Sequence, residues 1–191
     1  THTLAGPYDT VIEVPTGSTA RVSTATLATN LAVQPGGTLQ ILDNETLTVH
    51  GILTNAGTLQ MASRNVQTFL NGSGRLENPG LLRIVTSGTT YGNYANIYLP
   101  VYVPAGGQIL VQTNAYLNLR SGAPLSVSGT LDLRSGALLD VSEDPRHDLT
   151  LLAGSQIVGQ GTLRFYNSNR LVLQSDGRLP LPLVLNDSSR V

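Results

Sequence analysis

The chain has 191 residues, which fits one domain with a sizeable core. With 40% hydrophobic and only 12% charged residues, it lacks the composition of a disordered segment. Its eleven basic residues, all arginine, are balanced by twelve acidic ones for a net charge of −1, which argues against a nucleic-acid partner. The absence of cysteine excludes disulfides and zinc-thiolate sites, and no apolar run approaches the roughly 20 residues of a membrane span.

Short strands are predicted along almost the whole chain, and helix periodicity is nearly absent. Residues 1–30, with Pro7 and a less regular strand at 9–14, are predicted to form an amino-terminal cap or irregular first coils. From residue 31 to 191, stretches of alternating apolar residues are bounded by Gly, Asn, Ser or Pro, as in Leu47–Val49 and Leu125–Val127. The pattern indicates one continuous all-β domain.

Internal repeats run through these strands. Residues 51–61 and 74–84 share the pattern G-x-L-x-N-x-G-x-L-x-apolar at an offset of 23 residues, and 117–123 is echoed by 131–137 at an offset of 14. The triplet Gly-Thr-Leu recurs and begins at Gly37, Gly57, Gly129 and Gly161. Repetition at fixed offsets favours a solenoid over an antiparallel sandwich, which also consists of many short strands.

The predicted fold is therefore a single-stranded right-handed parallel β-helix, or β-solenoid, of about eight coils. Leucine, valine and isoleucine should point inward, and glycine and asparagine should mark the turns between strands. Asn55 and Asn78 occupy the same place in the 23-residue repeat, so we expect them to form a structural ladder of stacked amides.

Four sequence segments resemble a known group of proteins. VQPGGTLQI (33–41), LTVHGILTNAGTLQM (47–61), VPAGGQILV (103–111) and LSVSGTLDLRSGALLDV (125–141) are similar to the parallel β-helices of large secreted bacterial surface proteins. These include autotransporter-like passengers and filamentous-haemagglutinin-like adhesins. The resemblance implies a secreted, elongated scaffold and supplies no catalytic residues. A strand and turn that begin at 183–187, shortly before Val191, predict a piece of a longer rod with further coils of the same parent chain as neighbours.

The acidic loop at 143–148 contains the closest grouping of side chains that could bind a metal ion or act in acid–base catalysis. Glu143, Asp144 and Asp148 lie beside His147 and are a candidate Ca²⁺ site, the one cofactor that the pattern suggests, although Arg146 opposes a cation. A solvated, salt-bridged turn is the favoured interpretation.

Asp132 and Asp140 alternate with apolar residues, so we expect them on the surface of neighbouring strands rather than as a catalytic pair.

A tyrosine-rich loop at 86–102 departs most from the repeat. Tyrosine among Gly, Ser, Thr and Asn is typical of adaptable binding loops, although alternation at its end also fits an ordinary strand. Tyr91, Asn93 and Tyr94 are the candidate ligand-binding residues.

The sequence favours a structural stalk or scaffold module of an extracellular bacterial surface adhesin, with a host or neighbouring-cell glycan or protein as a partner. The alternatives are a carbohydrate-active β-helix enzyme that uses the acidic loop and a glycan-binding module that uses the tyrosine loop. Carboxylates clustered in a groove across adjacent coils would favour the enzyme. Scattered carboxylates would favour the stalk.

Overall fold

The computed structural model describes residues 1–64, 66–86, 93–120, 124–142, 148–166, 169–174 and 181–185. Within these ranges the regular structure consists of 23 β-strands and no helix. The strands pair in parallel into one 15-stranded and one 8-stranded sheet. The chain is therefore all-β, and the predicted parallel β-solenoid is confirmed.

The strands form three faces of a coil. Face 1 consists of the first half of β3 (Thr19–Leu27), β5 (Thr38–Ile41), β8 (Thr58–Ser63), β11 (Leu81–Thr86), β14 (Gln108–Val111), β17 (Thr130–Leu133) and β20 (Gln156–Gly159). Face 2 consists of the second half of β3, β6 (Thr46–Val49), β9 (Thr68–Asn71), β12 (Ala95–Ile97), β15 (Tyr116–Leu119), β18 (Leu138–Val141), β21 (Thr162–Phe165) and β23 (Leu183–Leu185). Face 3 consists of β2 (Ile12–Val14), β4 (Leu31–Val33), β7 (Ile52–Asn55), β10 (Arg75–Glu77), β13 (Val101–Val103), β16 (Leu125–Val127), β19 (Asp148–Leu151) and β22 (Arg170–Leu173). β1 (His2–Tyr8) pairs with β3 at the amino-terminal end.

Each turn runs from face 3 to face 1 to face 2 and then returns to face 3 one level further along the axis. The eight strands of face 3 are separated by seven steps, so the described residues make about seven turns, close to the eight coils predicted. The 23-residue repeat is one such step, because Leu53 pairs with Leu76 on face 3 and Leu59 pairs with Leu82 on face 1.

The other repeats have different structural meanings. The repeat at an offset of 14 residues relates β15 on face 2 to β17 on face 1. It therefore compares strands of two different faces and is not the period of one turn. The triplets that begin at Gly37, Gly57 and Gly129 enter strands of face 1, whereas the triplet at Gly161 enters face 2. One short sequence therefore serves two corners of the coil, since both need a residue without a side chain before a strand.

The core is a stack of apolar side chains in register. On face 1 the inward column includes Leu39, Leu59, Leu82, Ile109 and Leu131, all essentially inaccessible to solvent. Alternation along each strand turns the intervening residue to the outside of the coil. The outward residues of neighbouring strands consequently form columns as well, and these columns carry the polar chemistry of the protein.

Faces 1 and 2 meet within one strand at the start of the solenoid. β3 pairs with β5 up to Val22 and with β6 from Ala25, and Thr24 between them has a φ of 37°. The carboxylate of Glu45 accepts hydrogen bonds from the Thr24 backbone N–H at 2.6 Å and from its hydroxyl at 2.9 Å. This cap stabilises a backbone conformation that a β-branched residue rarely adopts.

Candidate functional site

The predicted asparagine ladder lies inside the solenoid, at the corner between faces 3 and 1. Asn55 and Asn78 are fully buried, and the Nδ2 of Asn55 donates to the Oδ1 of Asn78 at 2.6 Å. Asn55 also donates to the carbonyl of Leu81 at 3.0 Å, and Asn78 donates to that of Gln108 at 2.9 Å. The ladder therefore links three successive turns through side-chain amides.

Shorter corners accompany the ladder. In the same inward column, five positions separate Val33 and Val103 from the first residue of the next strand, whereas only three positions separate Val127 from Thr130. At Asn55 and Asn78 the separation is three positions. The buried amides donate to the first carbonyl of the face 1 strand one turn further along, at Leu81 and Gln108, so they satisfy backbone acceptors of the neighbouring turn.

The tyrosine-rich segment is only partly described. Tyr91 lies outside the described residues. Asn93 is 3% exposed, and its amide donates to the carbonyl of Arg64 at 3.2 Å. The ring of Tyr94 packs on that of Tyr116, one turn further on, with 5.7 Å between the ring centroids. The later part of the segment forms β12 and β13 on faces 2 and 3.

The acidic loop is also partly outside the described residues, since Glu143 and Asp144 are not among them. Asp148 lies at the start of β19, where Arg170 of the next turn donates to both of its oxygens at 2.9 and 2.6 Å. No group of three His, Asp or Glu side chains that could hold a metal ion occurs among the residues that the structure describes. Asp148 thus forms an inter-turn ion pair, and the Ca²⁺ site stays a prediction.

The expectation that Asp132 and Asp140 are surface residues of neighbouring strands is wrong. Each is only 4% exposed, and the two lie on face 1 and face 2 of the same turn, so their strands are not paired with each other. Each carboxylate has its own cation: Arg134 lies 2.8 Å from Asp132, and Arg164 makes a two-point contact with Asp140. Alternation in the sequence correctly gave the outward direction but could not show that neighbouring groups cover the side chains.

Face 2 contains a buried polar column that the sequence pattern did not predict. It consists of the outward residues Asn96, Asn118, Asp140 and Arg164, which pair in register on four successive strands. The first three are no more than 4% exposed. The sequence signal was a polar residue between two apolar ones in each strand, but recognising a column needs the pairing register.

Hydrogen bonds connect this column from turn to turn. Asn118 donates to Asn96 at 3.4 Å and accepts from the hydroxyl of Ser142 at 2.6 Å. Arg120 donates to the Asn96 carbonyl oxygen at 3.0 Å. The guanidinium of Arg164 also lies 5.0 Å from the centre of the Tyr166 ring. Each polar group in the column is hydrogen-bonded to a side chain on an adjacent turn, so the column connects successive turns.

Burial raises the pKa of Asp140 above its ordinary value of 3.8, while hydrogen bonding and the charge of Arg164, and more weakly the charge of Arg120, oppose the rise. The folded protein therefore binds a proton at Asp140 more readily than the unfolded chain does. Linkage then requires the free energy of unfolding to fall as the pH rises from 3.8 through the raised pKa.

We expect Asp140→Asn to abolish this component of the pH dependence. The variant loses its bidentate pair with Arg164 at every pH, but it has no carboxyl to titrate. The stability of the native protein relative to the variant should therefore be greatest in acid and should decrease toward neutral pH. Chemical denaturation followed by circular dichroism across this range measures the difference. A difference that does not change with pH would contradict the assignment.

Comparison of the chain with protein-family models, with curated proteins and with solved structures gives no match. Within the described residues, no helix is long and apolar enough to cross a membrane. In the geometry of the chain itself, polar groups of faces 2 and 3 join one turn to the next.

Proposed function

We propose that the chain is a rigid stalk or scaffold module of an extracellular bacterial surface adhesin. The observation that carries this proposal is the continuity of the strand ladders: every face runs from the first turn to the last as part of one of two unbroken parallel sheets. Seven steps at about 4.8 Å give a rod of about 34 Å. Such a module holds other parts of a surface protein away from the cell.

The arrangement of charged side chains supports a mechanical role. The ion pairs between Arg164 and Asp140 and between Arg170 and Asp148 join successive turns on faces 2 and 3. The asparagine ladder adds a third connection inside the coil. Hydrogen bonds and ion pairs that run along the axis resist separation of the turns, because pulling on the rod must break them together with the strand ladders.

The distribution of carboxylates favours the scaffold over a polysaccharide-degrading enzyme. Acid–base cleavage of a glycan uses two carboxyl groups on either side of one bond. Among the described strands, no two acidic residues lie on adjacent strands of the same face. The acidic residues within these strands are Glu13, Glu77, Asp132, Asp140 and Asp148.

A screen for polysaccharide cleavage, run beside a glycan array, tests the proposal. We expect the chain to cleave no polysaccharide, because the carboxylates within its described strands are dispersed over three faces. The matched variants are Asp144→Ala/Asp148→Ala for the acidic loop and Tyr91→Ala/Tyr94→Ala for the tyrosine loop.

The variants separate the three functions. Cleavage that disappears in the aspartate variant would replace the scaffold with the carbohydrate-active enzyme. Glycan binding that disappears in the tyrosine variant would assign adhesion to that loop. Absence of cleavage in all three proteins agrees with the scaffold.

A further inference from the structure

The eight arginines that the structure describes divide into two groups. Four form ion pairs with carboxylates, and Arg120 contributes to the charge around Asp140. The other three, Arg21, Arg64 and Arg83, form no ion pair with any described carboxylate. In a chain with 12% charged residues and a net charge of −1, three guanidinium groups without an ion pair in one region give a local excess of positive charge.

All three arginines belong to the same part of the surface, around the early turns of face 1. Arg21 and Arg64 line an open depression of about 620 Å³, with Gln40 and Gln60 between them. Arg83 pairs in register with Gln60 on the next strand. Arg21, Gln40, Gln60 and Arg83 thus form one outward column, and its two arginines are three strands, or about 14 Å, apart.

The guanidinium groups of Arg21 and Arg83 are hydrogen-bonded to neutral side chains, which do not compensate their charge. The Nε of Arg21 donates to the side-chain oxygen of Gln40 at 3.2 Å. With the Gln112 amide turned so that its oxygen faces Arg83, that oxygen accepts two hydrogen bonds at 3.0 and 2.7 Å. Asp43 also lines the depression, and its carboxylate accepts a hydrogen bond from the backbone N–H of Arg64. The depression and its border therefore carry three positive charges and one negative charge.

We propose that this depression binds an acidic polysaccharide that lies along the solenoid axis. Guanidinium groups bind carboxylate or sulfate groups through paired, charge-assisted hydrogen bonds, and glutamine amides both donate to and accept from sugar hydroxyls. Anionic groups of the ligand contact Arg21, Arg64 and Arg83, and its hydroxyls contact Gln40 and Gln60. This binding site is separate from the stalk function, which does not require it.

The composition of the depression argues against a nucleic acid as the ligand. Nucleic-acid-binding surfaces commonly neutralise six to ten phosphates, or stack bases on aromatic rings. The described lining of the depression contains two arginines and no aromatic residue. A glycan with spaced charges matches arginines that alternate with neutral amides.

Calorimetry on the whole chain tests the proposal with four probes: oligogalacturonate, a heparin oligosaccharide, a neutral dextran oligosaccharide and poly-glutamate. We expect at least one acidic glycan to bind, with an affinity that falls as salt is added, and the neutral glycan not to bind. The oligogalacturonate and heparin arms distinguish carboxylate from sulfate as the bound group.

The variant Arg21→Gln/Arg64→Gln should weaken binding of the acidic glycan about tenfold or more, since it removes two charge-assisted contacts. Arg75→Gln is the matched control, because Arg75 is an exposed arginine of face 3 whose loss changes the charge without touching the depression. The control should bind as the native chain does. Both altered arginines are exposed, so circular dichroism should show an unchanged fold.

Three outcomes would overturn the proposal. The first is that neither acidic glycan binds at low salt. The second is equal weakening by Arg75→Gln, which would mean a diffuse charge effect. The third is tighter binding of poly-glutamate than of either glycan, which would identify an acidic peptide as the ligand. These outcomes leave the stalk function untouched, since its test is the absence of cleavage.

Discussion

Replacement of Gly72 by alanine should lower the free energy of unfolding by about 3 to 5 kcal/mol. Gly72 follows β9 with a φ of 122°, a conformation that is nearly restricted to glycine. A Cβ at this position would lie 2.0 Å from the backbone carbonyl oxygen of Val49 on the preceding turn. Because that oxygen belongs to the backbone, the overlap can be relieved only if the two turns move apart. Denaturant unfolding monitored by circular dichroism measures the loss.

Gly17→Ala is the matched control for this substitution. Gly17 also has a positive φ, 72°, but a Cβ there would meet no atom within 4 Å. We expect a loss of about 1 kcal/mol, which reflects backbone strain alone. Similar losses in the two variants would show that contact between turns adds nothing at Gly72 and would contradict the close approach of the coils.

Asn78→Val should lower the free energy of unfolding by about 2 to 3 kcal/mol. Valine fits the shape of the site, because Val33 and Val103 occupy the same inward column. The substitution removes the acceptor of the Asn55 amide and the donor to the Gln108 carbonyl, both in a buried environment. The same denaturant unfolding experiment measures the effect.

A double-mutant cycle isolates the ladder. The combined loss in Asn55→Val/Asn78→Val should be smaller than the sum of the single losses by about 1 kcal/mol, because either substitution alone breaks their shared hydrogen bond. Thr54→Val, an outward residue beside the ladder, should change stability by less than about 0.5 kcal/mol. Strict additivity of the two asparagine substitutions would mean that the contact between them contributes no stability.

A candidate site could be predicted from the sequence only where its residues occupy the same position in a repeat. The ladder of Asn55 and Asn78 followed from a shared repeat position, because the offset of 23 residues is a true turn of the coil. The unpaired arginines of face 1 gave no such signal. Arg21, Arg64 and Arg83 lie in dissimilar local sequences, and their lack of an ion pair with any described carboxylate is a property of the folded surface.

The sequence by itself determined the β-solenoid, its inward apolar residues and the glycines of its corners, because period and alternation are local properties of the chain. Only the tertiary structure decided which outward residues meet. Turns between Leu31 and Leu171 on face 3 vary in length from 22 to 25 residues. The register of each column therefore depends on which corners contain the additional residues. That register buries Asp132 and Asp140 on separate faces beside their own arginines and brings Arg21 and Arg83 into one column. Burial and charge compensation arise from contacts between turns, which are distant along the chain.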